Sequence, residues 1–240
     1  MKKINWTTIR LVLMFGVVIF LFSFASTRNG NRKLTGTKIT FVEENNPFVK
    51  QETVNKLLIE KNGEALPIRK DKLDLNKLEN AVNANQMIEK SDVFVTIDGV
   101  LKAVVKQKTP IARVFDGQRS FYIDYKGSTM PLSANFTARV PLVFGMLNQK
   151  NKEALVGLFR KIYDDAFLKK NIIAIQIMPN GSLKMLNRNF DFQIDFGGTI
   201  NVNQKINNYK AFFQKAIVDS SLNKYKKIDL RFTDQVVCTK

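Results

Sequence analysis

The segment from Ile9 to Ala25 constrains the fold more than any other part of the chain, because it is a continuous apolar stretch. Its 17 residues include one charged side chain, Arg10, at the start. As a helix it would rise roughly 25 Å, slightly less than the ~30 Å hydrocarbon core of a bilayer, and Trp6 and Arg10 are placed to reach the interface. A core helix would carry a polar face, which Leu11 to Phe22 lacks. The sequence therefore predicts a transmembrane helix at residues 9–25, after a short tail at residues 1–8.

A cleaved secretory signal is the alternative interpretation of this segment. Lys2 and Lys3 form a basic start, Leu11 to Phe22 an apolar centre, and Ser23-Phe24-Ala25 offers small residues at a cleavage spacing. Basic residues flank the segment on both sides, so their distribution does not choose an orientation. Both interpretations place the rest of the chain outside the cytoplasm.

Residue types that the chain lacks exclude several kinds of active site. It contains no histidine, which removes histidine-based triads and the H-E-x-x-H zinc site. The single cysteine, Cys238, excludes an internal disulfide and a cysteine-rich zinc site. The net charge is +17, but the excess is spread along the chain and forms no basic stripe with interleaved aromatic residues. We therefore expect no catalytic, metal or cofactor site and no nucleic-acid partner.

The residues after the apolar segment predict a small domain at residues 37–110, beyond a polar linker at residues 26–36. Lys38 to Val42 is typical of a short strand. Val49 to Gly63 has the spacing of an amphipathic helix, and a second helix is predicted after Asp74, its expected N-cap.

A hairpin closes this first domain. Ile88 to Asp98 and Val100 to Lys108 alternate around Asp98-Gly99, a pair that favours a type I′ turn. The predicted order is therefore strand, helix, helix, strand, strand. The expected core residues are Ile39, Val54, Leu57, Leu78, Val95 and Leu101.

Residues 111–240 predict a second domain of mixed strands and helices with an antiparallel sheet, so the fold class is α+β. One helix is expected along the apolar stripe from Leu155 to Phe167, and another through Ile206, Tyr209, Phe213 and Ile217. The predicted strands are Ile111 to Phe115, Phe121 to Asp124, Met130 to Leu132, Val140 to Phe144, Ile172 to Met178, Leu183 to Leu186, Phe190 to Phe196, Lys227 to Phe232 and Gln235 to Cys238.

An exported cell-wall hydrolase is one alternative function, since glycoside hydrolases use a pair of carboxylates. The carboxylates on predicted strands are Asp124, Asp191, Asp195 and Asp229. No spacing selects a pair among them, and alternate positions on strands commonly face solvent.

Three stretches resemble a known family, the bacterial cell-division protein FtsQ, called DivIB in some bacteria. They are Lys102 to Ala112 (KAVVKQKTPIA), Tyr122 to Gly127 (YIDYKG) and Ile228 to Phe232 (IDLRF). The order of apolar helix, first domain and second domain is similar to the family's anchor, POTRA domain and β domain. Gln107-Lys108 stands where the family commonly has Glu-Arg, which puts a role for that acidic residue in doubt here.

This resemblance implies a non-enzymatic scaffold of the division septum, anchored in the cytoplasmic membrane with its N-terminus inside and its domains in the periplasm. It implies that the POTRA-like domain at 37–110 contacts other division proteins. It also implies that the end of the β domain at 111–240 binds two small division proteins, one like FtsB (DivIC) and one like FtsL. The partner-binding residues carried over by position are Ile228, Asp229, Leu230, Arg231, Phe232, Thr233, Gln235, Val236 and Val237.

Strand geometry is compatible with such binding, since a strand at a sheet edge leaves backbone groups that a partner strand completes. The structural alternative is that Ile228 to Phe232 is an ordinary core strand. A second functional alternative is a POTRA-containing chaperone of exported proteins, although such chains continue into a membrane barrel. The sequence leaves weak self-association in the membrane open.

Overall fold

We describe a computed structural model of the chain over residues 6–43, 48–60, 69–70 and 73–240, leaving out the side chain of Glu60. The chain divides into two compact units, Met1–Gln107 and Lys108–Lys240, which are described separately below.

The apolar segment is a single helix, α1 (Trp6–Gly30), and none of its residues is buried against the rest of the protein. It extends the predicted segment by three residues at one end and five at the other. By length and composition it is the one described helix able to cross a membrane.

The rest of the first unit forms a three-stranded sheet with two helices. Its elements are β1 (Gly36–Phe41), α2 (Gln51–Glu60), α3 (Leu75–Asn83), β2 (Ile88–Val95) and β3 (Val100–Gln107). The strand order is β1-β3-β2, with β1 parallel and β2 antiparallel to the central β3. The predicted order of strand, helix, helix, strand, strand is confirmed.

The helices pack their apolar faces on this sheet. Val54, Leu78 and Leu101 are at most 2% exposed, and Ile39 and Val95 pack against them, as predicted. The N-cap prediction is also confirmed, because the Asp74 carboxylate accepts a hydrogen bond of 3.0 Å from the backbone N of Lys77.

The prediction for Leu57 is wrong. Leu57 is only half-buried, whereas its neighbour Leu58 is 1% exposed. Leu58 lies four residues after Val54, so the two side chains share the face of α2 that meets the core.

The type I′ prediction for the β2–β3 turn is also wrong. The backbone N of Thr96 donates to the carbonyl of Val100 (2.9 Å), that of Gly99 donates to Thr96 (3.1 Å), and only Gly99 has a positive φ, of 82°. This is the three-residue loop in which a type I turn is followed by a left-handed glycine. Gly127 and Gly181 close two hairpins of the second unit in the same way.

The second unit is one nine-stranded sheet with helices on one face. Its elements are β4 (Pro110–Phe115), β5 (Ser120–Asp124), β6 (Thr129–Met130), β7 (Leu142–Phe144), α4 (Lys152–Asp164), α5 (Ala166–Asn171), β8 (Ile172–Ile177), β9 (Leu183–Asn187), β10 (Gln193–Gly197), α6 (Val202–Val218), a 3-10 turn (Leu222–Lys224), β11 (Lys227–Asp229) and β12 (Val237–Thr239). The strand order is β12-β11-β10-β9-β8-β7-β4-β5-β6.

The sheet is mixed and not purely antiparallel as predicted. The pairs β4–β7, β7–β8 and β10–β11 are parallel. The chain makes two of these pairs through helical crossovers, with α4 and α5 between β7 and β8 and α6 between β10 and β11.

The predicted single helix from Leu155 to Phe167 is broken at Asp165. Asp165 has extended backbone angles, and its carboxylate accepts hydrogen bonds from the backbone N of Phe167 (3.1 Å) and of Leu168 (3.0 Å). A carboxylate in this position caps a new helix, so α5 begins there. Lys210 of α6 also forms an ion pair with Asp165.

The core of the second unit lies between this sheet and its helices. Ile175, Met185, Ile194 and Ile228 are paired across four neighbouring strands and are all buried. They pack with apolar residues of α4 and α6. On α6 the predicted positions Ile206, Tyr209 and Phe213 are in this core, but Ile217 is 53% exposed and Ala216 is buried in its place. The opposite face of the sheet carries exposed Leu142, Phe144 and Leu186.

Candidate functional site

Strand β11 lies inside the sheet and not at its edge. Ile228 is paired with Ile194 of β10 on one side and with Cys238 of β12 on the other, and it is 0% exposed. Leu230 follows the strand and is 2% exposed. These two residues, which the resemblance assigned to partner contacts, are core residues of the second unit.

The chain leaves the sheet at Asp229, three residues before the predicted end of the strand. The Asp229 carboxylate accepts hydrogen bonds from the backbone N of Arg231 (3.0 Å) and from its Nε (2.9 Å). A carboxylate that accepts from the backbone two residues later forms an Asx turn, which bends the chain. The hydrogen bond from Arg231 lowers the pKa of Asp229, against the opposing effect of burial. Asp229 thus remains ionised and holds the turn.

Arg231 also explains why Gly197 is a glycine at the end of β10. The φ of Gly197 is +70°, and a Cβ added there would lie 2.8 Å from the Cγ atom of Arg231. The aliphatic part of the Arg231 side chain therefore lies directly over the backbone of the neighbouring strand, while its guanidinium group pairs with Asp229.

The segment from Leu230 to Val236 is held against α6. The carbonyl oxygen of Thr233 accepts hydrogen bonds from Nε2 of Gln204 (3.1 Å) and from Nδ2 of Asn208 (2.7 Å). Val236 packs partly against the core, whereas Phe232 is 48% exposed and Gln235 is exposed. The segment therefore has a fixed backbone and presents an aromatic side chain to solvent.

Strand β12 is the free edge of the sheet at this end. It pairs with β11 alone, and no strand among the described residues covers its other side. Val237 is 41% exposed, while Cys238 is half-buried opposite Ile228, as expected for a strand side chain. Burial raises the pKa of the Cys238 thiol, so it is protonated at neutral pH.

The structure thus divides the predicted contact residues into two groups. Ile228 and Leu230 are buried, Asp229 is 6% exposed and engaged by Arg231, and Val236 and Thr233 are partly covered. The exposed members are Arg231, Phe232, Gln235 and Val237. Val237 belongs to the edge strand β12, and the other three lie in the segment between β11 and β12, with Arg231 turned towards β10.

Gln204 and Asn208 are the site residues that sequence analysis missed. Both hold Thr233, 29 and 25 residues later in the chain. In sequence they are ordinary polar residues of an amphipathic helix, so no local signal distinguishes them from other exposed positions.

Of the carboxylates considered for a hydrolase, only Asp195 and Asp229 are paired across neighbouring strands, and each of these two is engaged by a basic side chain. Asp124 is 3% exposed and accepts from the backbone N of Ser128 (2.7 Å), and Asp195 forms an ion pair of 2.7 Å with Lys227. Asp229 is held by Arg231, and Asp191 lies outside the strands and is exposed. Within the described part of the chain, no three Asp, Glu or Cys side chains form a group that could hold a metal ion.

An apolar N-terminal helix followed by two α+β units fits a single-pass membrane protein. The family model described as FtsQ/DivIB, C-terminal related, matches residues 109–239, more than half of the chain. The chain therefore belongs to the FtsQ/DivIB family of bacterial cell-division proteins.

Two further comparisons were made, with curated proteins and with solved structures. The chain is 26% identical over 154 residues to the cell division protein FtsQ of Salinibacter ruber, covering 59% of this chain and 60% of that protein. The chain therefore spans about three fifths of the length of this curated relative. A search of solved structures matched the major extracytoplasmic domain of DivIB from Geobacillus stearothermophilus, with a TM-score of 0.32, 15% identity, and coverage of 48% of this chain and 96% of that domain.

Proposed function

We propose that the protein is a non-enzymatic scaffold of the division septum. In this proposal α1 anchors it in the cytoplasmic membrane with its N-terminus in the cytoplasm, and both units lie in the periplasm. Membership of the division family and the exposed apolar surface of α1 support this arrangement. N-terminal sequencing of the mature protein tests the anchor, because a chain that began at Ser26 or Thr27 would show a cleaved signal.

Within this scaffold, residues 37–110 act as a POTRA-like domain and residues 111–240 as the β domain. The strand order β1-β3-β2 with two packed helices supports the first assignment. Other division proteins are expected to contact the POTRA-like domain.

The free edge of β12 is the observation on which the partner-binding proposal rests. A partner strand that pairs with Val237–Thr239 would complete its backbone hydrogen bonds, as in other cases of β-augmentation. The partners are small membrane-anchored division proteins like FtsB (DivIC) and FtsL. Phe232 lies in the segment that leads from β11 into this edge strand and supplies an exposed aromatic side chain, the residue type enriched at the centres of interfaces.

The test compares Phe232→Ala with the control Phe144→Ala in the full-length protein. Both phenyl groups belong to the second unit and are exposed to similar extents, 48% and 42%, but Phe144 lies on β7, far along the sheet order from β12. An interface aromatic costs about 2 kcal/mol or more on truncation, so Phe232→Ala should weaken binding of the FtsB-like partner roughly thirtyfold. The control should bind like the unaltered protein.

Thermal stability is measured on the same samples. Because Phe232 is half-exposed, its truncation should cost less than the 3 to 5 kcal/mol that is usual for a buried Phe. Full binding by the folded Phe232→Ala protein would contradict the proposed role of Phe232. Equal losses in both variants would indicate a general effect on the second unit.

A further inference from the structure

The end of α1 is tied to two other segments of the first unit. The Arg32 guanidinium donates to the carbonyl oxygen of Ile97 in the β2–β3 turn, and the backbone N of Thr35 donates to that of Gly99 (2.9 Å). The backbone N of Lys70 donates to the carbonyl oxygen of Arg32 (2.9 Å). These contacts fix the β2–β3 turn and residues 69–70 beside the last turn of the helix.

Side chains add to this connection. Arg69 donates to the Asn31 side chain, and Nζ of Lys70 lies 3.4 Å from Oδ1 of Asn29. Leu34, two residues after Arg32, is 2% exposed and belongs to the core of the unit. The polar segment after the apolar helix is therefore part of the folded unit.

Five basic residues meet at this junction. Arg28, Arg32 and Lys33 come from the helix end, and Arg69 and Lys70 come from the segment bonded to it. We call these five residues the basic collar. The turn contributes one carboxylate, Asp98, so the collar and the turn together carry a net positive charge over the described residues. Ile97 on the same turn is 79% exposed.

The length of α1 sets the depth of the collar. A helix of 25 residues is about 37 Å long, whereas the hydrocarbon core is ~30 Å thick and the headgroup layers extend the bilayer to about 40 to 45 Å. If α1 is centred in the membrane, its C-terminal end lies in a headgroup layer. Asn29, Asn31 and Arg32, which bond the other segments, are at or next to this end.

We propose that the basic collar and Ile97 dock on the anionic phospholipid headgroups of the outer leaflet and hold the first unit against the membrane. This inference rests on the proposed role of α1 as the anchor. Basic side chains next to a membrane helix attract anionic lipid. The exposed side chain of Ile97 would insert into the apolar part of the lipid interface beside them.

A fluorophore on the turn reports this docking. The full-length protein with Ile97→Cys and Cys238→Ser is labelled with an environment-sensitive dye and reconstituted in nanodiscs of phosphatidylcholine with or without phosphatidylglycerol. We expect a blue-shifted emission, quenched by lipid-attached nitroxides, in anionic nanodiscs at low salt. Raising the salt should reverse the shift because the attraction is electrostatic.

The matched variants separate the collar from total charge. Arg28→Gln with Lys33→Gln removes two exposed cations whose side chains form no hydrogen bond or ion pair with the described residues, so folding should be unaffected. Each basic residue near an anionic surface adds to the free energy of membrane binding. Losing two of them should lower the ratio of docked to free protein roughly thirtyfold. Lys150→Gln with Lys226→Gln removes the same charge from exposed positions of the second unit and should leave the emission unchanged.

Three results would overturn the inference, and they are distinguishable. Extraction of the protein from membranes by alkaline carbonate would show that α1 is no anchor, and the proposed function and this inference would fail together. A stably inserted protein with the same emission in both lipid compositions would contradict this inference alone. A shift that requires an added anionic cell-wall polymer would identify the polymer, and not the lipid, as the partner.

Discussion

The hydrogen bonds from α6 to Thr233 should determine how well the candidate partner-binding segment is ordered. In the variant with Gln204→Ala and Asn208→Ala, both donors to the Thr233 carbonyl are lost. A neutral hydrogen bond contributes about 1 kcal/mol net, so the double variant should ease opening of the segment by about 1 to 2 kcal/mol. This corresponds to a roughly five- to thirtyfold fall in the protection of its amides.

Hydrogen exchange measured by mass spectrometry on the full-length protein would test this. Peptides covering residues 230–239 should exchange faster in the double variant, while peptides from β8 and β9 should not change, because the core they belong to is untouched. Asn207→Ala is the matched control, since Asn207 is an exposed neighbour of Asn208 on the same helix.

Partner binding should weaken by a similar factor, because a segment that is no longer held in place must be ordered on binding. Exchange in residues 230–239 equal to that of Asn207→Ala would refute the holding role of α6. Faster exchange throughout the second unit would instead show that the two amides support the whole fold.

Three further predictions concern stability. Leu58→Ala should lower the free energy of unfolding of the first unit by about 2 to 5 kcal/mol, and Leu57→Ala should lower it by less than half as much. Hydrogen exchange of the β3 amides measures both, and equal effects would contradict the assignment of Leu58 to the core. Burial raises the pKa of Tyr209 to about 12, so the contribution of its neutral phenol to stability should be full below pH 10 and lost as the pH rises through 12. Denaturant midpoints measured from pH 9 to 12 would show this loss, and the part of the pH dependence that is due to Tyr209 should be absent in Tyr209→Phe. The hydrogen bond from Arg231 lowers the pKa of Asp229, so this carboxylate should stabilise the fold above its ordinary pKa of 3.8 and stop doing so as the pH falls through the lowered pKa. Unfolding followed during acid titration tests this, and a curve identical to that of Asp229→Asn would contradict it.

Local periodicity was sufficient to predict the order of elements in the first unit and the order of strands in the second. Alternation around Gly99 located the β2–β3 hairpin, and Asp74 marked the start of α3. The type of the turn was not predictable in the same way, because it depends on which backbone groups of Thr96 and Val100 pair across the strands.

Some predictions were wrong where two neighbouring residues were equally apolar and either could have been the buried one. Leu57 and Leu58 are adjacent, and the position of the helix relative to the sheet decides which of them is buried. Asp165 gave no sign of a helix break, since aspartate is common on exposed helix faces. Its capping role depends on the chain turning there towards Lys210 of α6.

The candidate site shows the limit of strand patterns most directly. Alternation of Ile228, Leu230 and Phe232 would place all three side chains on one face of a continuous strand. The Asx turn at Asp229 ends the strand first, and it involves Arg231, which lies over Gly197 of a different strand. Such a contact depends on the sheet order, which no local pattern encodes.

The same turn has a consequence for how a partner would recognise this end of the sheet. Because the chain leaves β11 after Asp229, Ile228 and Leu230 stabilise the core, and substitutions there would change folding before binding. Phe232 is exposed in the segment that joins β11 to β12. Backbone pairing with the free edge of β12 would not depend on side-chain identity. In the proposed complex, specificity for one partner strand would come from the exposed side chains at this end of the sheet, chiefly Phe232 and Val237. The hydrogen bonds from α6 to Thr233 would set the position of Phe232.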